Sequence, residues 1–393
     1  MLQADNENRY NYYILGLIFL LLCAGLVMVY SASHHLALKR YDDSSLFFRG
    51  HFYRVLIGIG ALIVTACIPY KFWLRYSKIG LIIGIFLLIL VIFFGTKEGN
   101  ATRWLKLFGF RFQPVDFVRL ALIFYLTDAM IRKQDYLDHW KEGLLPQIIV
   151  LGIVELLLLK QPDMGSVVIL FVITVVIFFM AGVRVKHLSL VGAAVIPVLL
   201  FKQRYQIARI SDFIDSIFNG HPLIYQINQS LISLGNGGFW GVGLDNSTQK
   251  LEFLPTPFTD FIFAIVGEEF GFIGALIILT LFLLIVFEGF RIAKRCPDED
   301  GMILATGITI SIALYAFLNA GVVCNLFPTK GLPMPFISYG GSFMITTLAG
   351  IGILLNISQH NGFHLAGSRS QNFRLNQLPI DQNEDFVDQI ETN

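Results

Sequence analysis

Residues 261–290, "FIFAIVGEEFGFIGALIILTLFLLIVFEGF", form an apolar run long enough to cross a bilayer, yet Glu268 and Glu269 sit near its start and Thr259-Asp260 lies just before it. A hydrocarbon layer roughly 30 Å thick takes about 17 to 25 residues of helix, so the run reads as a membrane span with acids at its mouth. The rest of the chain repeats the theme. Of 393 residues, 55% are hydrophobic and 15% charged, with 36 phenylalanines, more apolar surface than a water-soluble core of this length needs. The chain is an all-α polytopic membrane protein. A net charge of +1 gives no global basic field and excludes a nucleic-acid partner on that ground. The four cysteines (Cys23, Cys67, Cys296, Cys324) lie in or beside apolar runs, where thiols behave as small hydrophobes, and their spacing is neither a zinc pattern nor a disulfide framework. The N-terminus is polar and acidic and its first apolar run is long enough to span, so it reads as a transmembrane helix and not a cleaved signal.

Ten windows of spanning length occur, near 12–32, 52–69, 78–95, 115–131, 145–160, 165–183, 187–202, 261–290, 302–325 and 340–358. The seventh is interrupted by Pro197 and crowded by Lys186, His187 and Lys202. The expected organisation is a cytoplasmic tail over 1–11, a ten-helix membrane domain over 12–359 with a large extracytoplasmic loop at 203–260 between helices 7 and 8, and a polar, acidic, disordered cytoplasmic tail over 360–393. No internal repeat is evident.

With ten spans, odd-numbered loops share one face, and the unusual sequence all falls there: "KEGNATRWLKLFGFRFQP", "KQPDMGS", residues 203–260 and "FPTKGLPMPFISYGGS". Even loops are short and plain. Long loops collect polar residues anyway, but a site assembled from distant sequence requires one shared face. Basic residues are packed close to helix ends in the even loops, which puts those loops and both termini in the cytoplasm and the odd loops outside.

An ionised carboxylate at mid-membrane costs about 2.5 to 3.5 kcal/mol on insertion scales, so such groups favour interfaces, wet cavities or cations. Asp260 can be read as part of a helix start, with Thr259 as N-cap and the acid favoured by the helix dipole. Glu268 and Glu269 lie about 12 to 13 Å further along the axis and point to different sides, so at most one of them shares the surroundings of Asp260. Asp116 and Arg119, a helical turn apart, are spaced to pair with each other. Lys97, Arg103, Lys106, Arg111 and Lys330 lie on the same face as Asp260. Cations beside a lone carboxylate suit a reaction with an anionic leaving group: the cations hold a phosphate or diphosphate, the carboxylate takes a proton from the attacking hydroxyl. Trp104 reads as an interfacial anchor. The glycines of "SLGNGGFWGVGLDNS" lack the spacing of a nucleotide loop and serve to end an amphipathic interfacial helix, "YQINQSLISL". In "PMPFISYGGS", Pro333 and Pro335 are expected to stop a helix and Gly340-Gly341 to restart one, around a partly re-entrant segment.

"ATRW…FQPVDFVRLALIFYL", "QPDMGS", "YQINQSLISLGNGGFWGVGLDNSTQKLEFLP", "TDFIFAIVGEEFGFIGA" and "FPTKGLPMPFISYGGS" resemble, in this order, the signature segments of the SEDS family (shape, elongation, division and sporulation) over about residues 12–358. The wording "GVGLDNSTQK" and "PTKGLPMPFISYGGS" is more similar to its division branch, FtsW, than to its elongation branch, RodA. The resemblance implies an inverting peptidoglycan glycosyltransferase that polymerises lipid II on the outer face of the bacterial cytoplasmic membrane, at the septum. It would work with a class B penicillin-binding protein and other divisome membrane proteins. The family's essential acid falls on Asp260, which would be the general base. Its loop-three arginine falls on Arg103, and its acidic-then-basic pair after Gln-Pro on Asp116 and Arg119. Lys106, Gln161, Asp163, Lys330 and Ser338, in the matching motifs, are assigned with them to binding lipid II and its diphosphate.

Three departures stand out. The family commonly has Leu-Pro-Glu-Ala-His before Thr-Asp, where this chain has Leu254, Pro255, Thr256, Pro257 and Phe258. The family's Ser-Tyr-Gly-Gly-Ser-Ser ends here in Phe343, and its Asn-Ile-Gly reads Asn319, Ala320, Gly321. The diphosphate leaving group makes a divalent cation, Mg or Mn, a candidate cofactor, although no dedicated ligand cluster is visible. A lipid II flippase or a non-catalytic divisome scaffold would need the same helical bundle, and a flippase the same anion-binding cavity.

Overall fold

The computed structural model describes residues 4–98, 101–107, 110–137, 139–189, 192, 213–214 and 224–375. The helices in chain order are α1 (Ala4–Tyr41), α2 (Leu46–Cys67), α3 (Tyr70–Arg75), α4 (Ser77–Phe94), α5 (Pro114–Arg132), α6 (Leu145–Lys160), α7 (Met164–Met180), α8 (Tyr225–Gly237), α9 (Ile262–Arg295), α10 (Glu299–Val323) and α11 (Ser342–Leu375). Among the described residues, seven helices are long and apolar enough to cross a membrane: Tyr12–Tyr41, Leu46–Cys67, Ser77–Phe94, Trp140–Lys160, Ile262–Arg295, Glu299–Val323 and Ser342–Gln359. Helix α7 is equally apolar but shorter, and α5 carries Asp116, Arg119, Asp128 and Arg132. Each of the ten expected windows except 187–202 coincides with one of these helices; that window lies mostly outside the described residues, as do much of 203–223 and all of 376–393.

Burial follows helical period. On α2, His51, Val55, Gly58, Leu62 and Thr65 are buried, mostly against α11, while Phe52, Tyr53, Leu56, Ile63 and Val64 face outward as large apolar side chains suited to lipid. The loop before α5 is not helical. It forms a three-stranded antiparallel sheet of β1 (Thr96–Glu98), β2 (Ala101–Leu107) and β3 (Phe110–Phe112), an addition to the all-helical expectation. The alternation of apolar and basic residues in "RWLKLFGFRF" is the period of a strand and explains it.

Helix α9 is broken at Gly271, whose backbone (φ 68, ψ −167) only glycine adopts readily. The break frees backbone groups at membrane depth, and the loop after α8 pairs with them. Val242 N–H donates to Glu268 O at 3.0 Å and Gly243 N–H to Glu269 O at 3.0 Å, while Phe272 and Ile273 N–H donate to Gly238 O (2.9 Å) and Phe239 O (3.3 Å). Irregular backbone at this depth is stable only when protein satisfies it. The two glutamate side chains complete the join. Glu268 accepts from Ser233, Asn236, Ser247, Thr248 and Gln249, and Glu269 from Ser31 (2.6 Å) and the buried Lys250 (3.1 Å).

The amphipathic helix expected around residues 225–234 is α8, and Gly238 (φ 53) ends it. The prolines of "PMPF" do not stop a helix: α10 has already ended at Val323, with Asn325 in the left-handed region (φ 56). The irregular segment that follows is nevertheless enclosed by protein, with Leu332, Met334, Phe336, Ile337 and Ser338 all buried.

The join at Gly271 makes a test. A methyl group on Gly241 (φ 84) would collide with the backbone carbonyl of Glu269, so Gly241→Ala is expected to cost about 2 kcal/mol or more and to lower the melting temperature in detergent by several degrees. Gly235→Ala, in α8 with open space around it, is expected to be neutral or stabilising.

Candidate functional site

Asp260 precedes α9 and is not part of its first turn. Phe261 occupies the N-cap position, and the Thr259 hydroxyl donates to Thr256 O at 3.2 Å and caps nothing, so the helix-start reading of Thr259 and Asp260 does not hold. What positions the acid is a set of side chains that hold its backbone. Asn319, in α10, donates through Nδ2 to Asp260 O (2.7 Å) and to Leu332 O (2.5 Å). Ser338 Oγ donates to Thr259 O at 2.6 Å and accepts from Met334 N–H at 2.7 Å; Tyr339 N–H donates to Phe258 O at 2.9 Å. The strand of chain from 258 to 260 is thereby pinned to the irregular segment 332–339. Phe258 packs against Phe47 (4.8 Å between centroids) and edge-on against Tyr339 (5.6 Å), so aromatic carbon lines this side of the segment.

The carboxylate of Asp260 is thickly surrounded by protein, although the residue as a whole is half-buried. Surrounding protein raises its pKa to about 6, against the pull of Arg103 and Lys330. A methyl group on Gly331 would collide with Asp260 Oδ2; the absence of a side chain there is what leaves room for the acid.

Asp163 is the second acid of the site. Lys330 Nζ donates to its Oδ1 at 3.0 Å, Arg103 Nε lies 3.9 Å from the same oxygen, and Ser166 Oγ donates to Oδ2 at 2.7 Å. Burial would raise its pKa, but Lys330 and Arg103 outweigh burial and hold it at about 2. Arg103 also donates to Pro162 O. Gly165 lets the stem of Lys330 lie across the start of α7, since a Cβ there would collide with Lys330 Cε. Loop three, the α6–α7 turn, the α10–α11 segment and the lead into α9 thus converge on Asp260, Arg103, Lys330 and Asp163.

Other expected residues lie around this group. Asp116 and Arg119 do not pair with each other as their spacing allows: Asp116 accepts from Ser342 Oγ (2.6 Å), and Arg119 donates to Thr346 (3.3 Å) and Thr347 (3.0 Å) and lies 4.7 Å from the Tyr315 and Phe343 ring centroids. Both reach across to α11 and neighbouring side chains and fix the α5–α11 contact. Gln161 is buried and donates to Leu88 O at 2.9 Å, tying the end of α6 to α4. Lys106 is exposed on β2, opposite Arg111. Neither Glu268 nor Glu269 faces Asp260; both serve the join at Gly271. Gly331, Gly165 and the double donor Asn319 were not singled out from sequence as site residues, though each glycine sits beside a charged or binding position in a quoted motif. Among the described residues no three His, Cys, Asp or Glu side chains group to hold a metal ion, and the acids here are matched by cations.

The fold and site define a polytopic membrane protein with an acid–cation cluster built from non-helical backbone at one end of its bundle. The chain belongs to the FtsW/RodA/SpoVE family of cell cycle proteins, whose family model matches residues 12–362. It is 39% identical over 356 residues to "Probable peptidoglycan glycosyltransferase FtsW" of Geobacter sp. (strain M18), covering 89% of this chain and 96% of that protein. It is 37% identical over 349 residues to "Stage V sporulation protein E" of Bacillus subtilis (strain 168), covering 88% and 95%. Among solved structures it resembles a chain of a peptidoglycan synthase complex (TM-score 0.71, 23% identity, 89% of this chain and 98% of that one). It also resembles Thermus thermophilus RodA (TM-score 0.66, 23% identity, 88% and 96%). The protein is a multi-pass protein of the bacterial inner membrane.

Removing Lys330 strips the buried Asp163 of its nearest counter-charge. Lys330→Met is expected to cost about 3 to 5 kcal/mol, read as a lower melting temperature at pH 7. Because the folded pKa of Asp163 is depressed, the stability it contributes is present above about pH 4 and is lost as pH falls toward 2, so the parent and variant should converge in acid.

Proposed function

We propose that this protein is a peptidoglycan glycosyltransferase that polymerises lipid II, with Asp260 as general base. The observation that carries the reading is an acid held outside any helix by Asn319 and Ser338, in the field of Arg103 and Lys330, whose environment raises its pKa to about 6. At pH 7 such an acid is ionised in most molecules and is still basic enough to take a proton in the transition state. The acceptor sugar's 4-hydroxyl would give its proton to Asp260 while its oxygen bonds to the anomeric carbon of the lipid-linked chain. The bond from that carbon to the diphosphate breaks as the new one forms on the opposite face, so configuration inverts and the diphosphate leaves with the electron pair. Arg103 and Lys330 would receive that charge. The acid–cation cluster suits an extracytoplasmic position, where the sugar and the growing strand reside, and septal synthesis with a class B penicillin-binding protein and other divisome proteins fits the division-type relatives. A divalent cation, Mg or Mn, if used, would come with the substrate's diphosphate, because the acids of the site are matched by lysine and arginine.

Purified protein supplied with lipid II, with and without a cognate transpeptidase, tests this. Asp260→Asn is expected to lower polymerisation by about 10²-fold or more. The folded pKa of Asp260 is raised, so the cost of ionising it builds up between about pH 4 and 6 and persists above; at pH 7 the variant should therefore be as stable as the parent or more stable, by up to about 3 kcal/mol, and melt no lower. Glycan synthesis by Asp260→Asn at the parent rate would exclude the assignment, and transfer of lipid II across liposomes without polymerisation would favour a flippase.

The pH profile is a second test. Polymerisation by the parent should rise with pH through about 6 and level off above 7, following ionisation of Asp260. A rate that falls over that range would contradict a carboxylate base.

A further inference from the structure

Polymerisation of a lipid-linked precursor brings together two substrates that both carry a diphosphate, so a site with one base needs two places for phosphate. Arg103 and Lys330 supply one. A second cationic group lies beside Tyr339, whose N–H is bonded to Phe258 O. Arg54, on α2, holds its guanidinium 4.3 Å from the centroid of the Tyr339 ring, and a Cβ on Gly341 would lie 3.7 Å from its Nε. One nitrogen of that guanidinium, NH1, is buried and meets no hydrogen-bond partner among the described residues. His51, one helical turn earlier on the same face of α2, is completely buried, 5.9 Å from Tyr339, and neither of its ring nitrogens has a partner among the described residues. A buried imidazole and a buried guanidinium N–H left unsatisfied cost about 1 to 3 kcal/mol each, which an arriving ligand would recover.

The chemistry of the surroundings selects an anion. Gly340 and Gly341 lead into Ser342, where the long helix α11 begins, and the N–H groups of a helix's first turn have no partner within the helix and carry its positive end. The Cβ position of Gly341 is closed by Arg111 O at 3.1 Å and Ser342 Oγ is taken by Asp116, so an anion would approach this backbone past Gly340, whose Cβ position meets nothing nearer than 3.6 Å. The group also touches the catalytic strand: Tyr339 N–H is bonded to Phe258 O, two residues from Asp260.

We propose that Arg54 and His51, with the amides at the start of α11, form a second phosphate subsite that holds the diphosphate of the second lipid-linked substrate. The inference rests on the reading of the protein as a lipid II polymerase. It gives each diphosphate its own cations: the leaving group and the headgroup of the molecule that is retained cannot share one pair. Arg54 presents its fork from the membrane helix α2, with the Tyr339 ring against its guanidinium.

The test measures binding apart from chemistry. Full-length protein carrying Asp260→Asn, in nanodiscs of neutral lipid, is titrated with undecaprenyl diphosphate, and stoichiometry is read by mass spectrometry or calorimetry. Two equivalents are expected; with Arg54→Met added, one equivalent should remain and the other weaken at least tenfold, while Arg54→Lys, which keeps the charge, should restore part of it. His51→Phe, which keeps a buried ring and removes both nitrogens, should weaken the same equivalent. In turnover with lipid II, Arg54→Met should raise the half-saturating concentration by tenfold or more and change the maximal rate less.

A single equivalent in the parent overturns the proposal, as does unchanged half-saturation in Arg54→Met. Nanodiscs containing phosphatidylglycerol form a third arm. If that lipid displaces the second equivalent at matched concentration, the subsite belongs to bulk phospholipid headgroups and the substrate assignment fails. Loss of both equivalents and of the melting transition in Arg54→Met would mark a folding defect; Arg54→Lys and His51→Phe then decide, and full binding by His51→Phe overturns the role of His51. A parent that binds two equivalents but polymerises nothing would remove the catalytic reading and leave the subsite standing.

Discussion

Backbone that leaves a helix inside a membrane must find its partners within the protein, because lipid offers none, and this chain's site is made almost entirely of such backbone. Residues 254–261 and 324–341 are irregular, yet they lie within the bundle and are joined by side chains that serve carbonyls and amides in place of helical bonds. One such bond is worth about 1 kcal/mol net, but leaving its acceptor unpaired at this depth would cost several. Asn319 and Ser338 therefore fix where Asp260 stands more firmly than any property of α9. The same rule accounts for the two glutamates at the mouth of that helix. They are spent on holding the loop that repairs the break at Gly271, which leaves the acid just before the helix as the one free for chemistry.

Two carboxylates share the same pair of cations and end up far apart in character. Asp163 has Lys330 and Ser166 in direct hydrogen bonds and stays at a pKa of about 2; Asp260 feels the cations from a distance and is lifted to about 6. Separation of paired acids by environment is how a site divides a fixed counter-ion from a proton acceptor. Phe258 sharpens the division. Its ring packs with those of Phe47 and Tyr339 and supplies no hydrogen-bonding neighbour beside Asp260.

Much of this was legible in the residues themselves. The spans were readable because a chain can hide apolar runs of membrane length in few places besides a bilayer, and the shared face of the odd loops grouped Lys97, Arg103, Lys106, Arg111 and Lys330 with Asp260, while Asp163 and Ser338 joined them only through the family resemblance. The sheet at 96–112 was hidden by its length: three short strands between two spans look like any polar loop until their alternation is set against a partner. Asp116 and Arg119 illustrate a different limit. Spacing says which residues on one helix can meet, but Ser342, Thr346 and Thr347 on another helix competed for them and won. Gly165 and Gly331 carry meaning only through what they leave empty, and an empty place cannot be read until the neighbour that occupies it, Lys330 or Asp260, has been located.

Asp163 has one more consequence. Because it already satisfies Lys330, any incoming diphosphate must displace a resident anion, and the same anion is waiting when the reaction is over. The cluster is close to neutral at rest, with Asp163 and Asp260 against Arg103 and Lys330. For the diphosphate leaving group proposed above, departure would then exchange one ion pair for another, with Lys330 returning to Asp163.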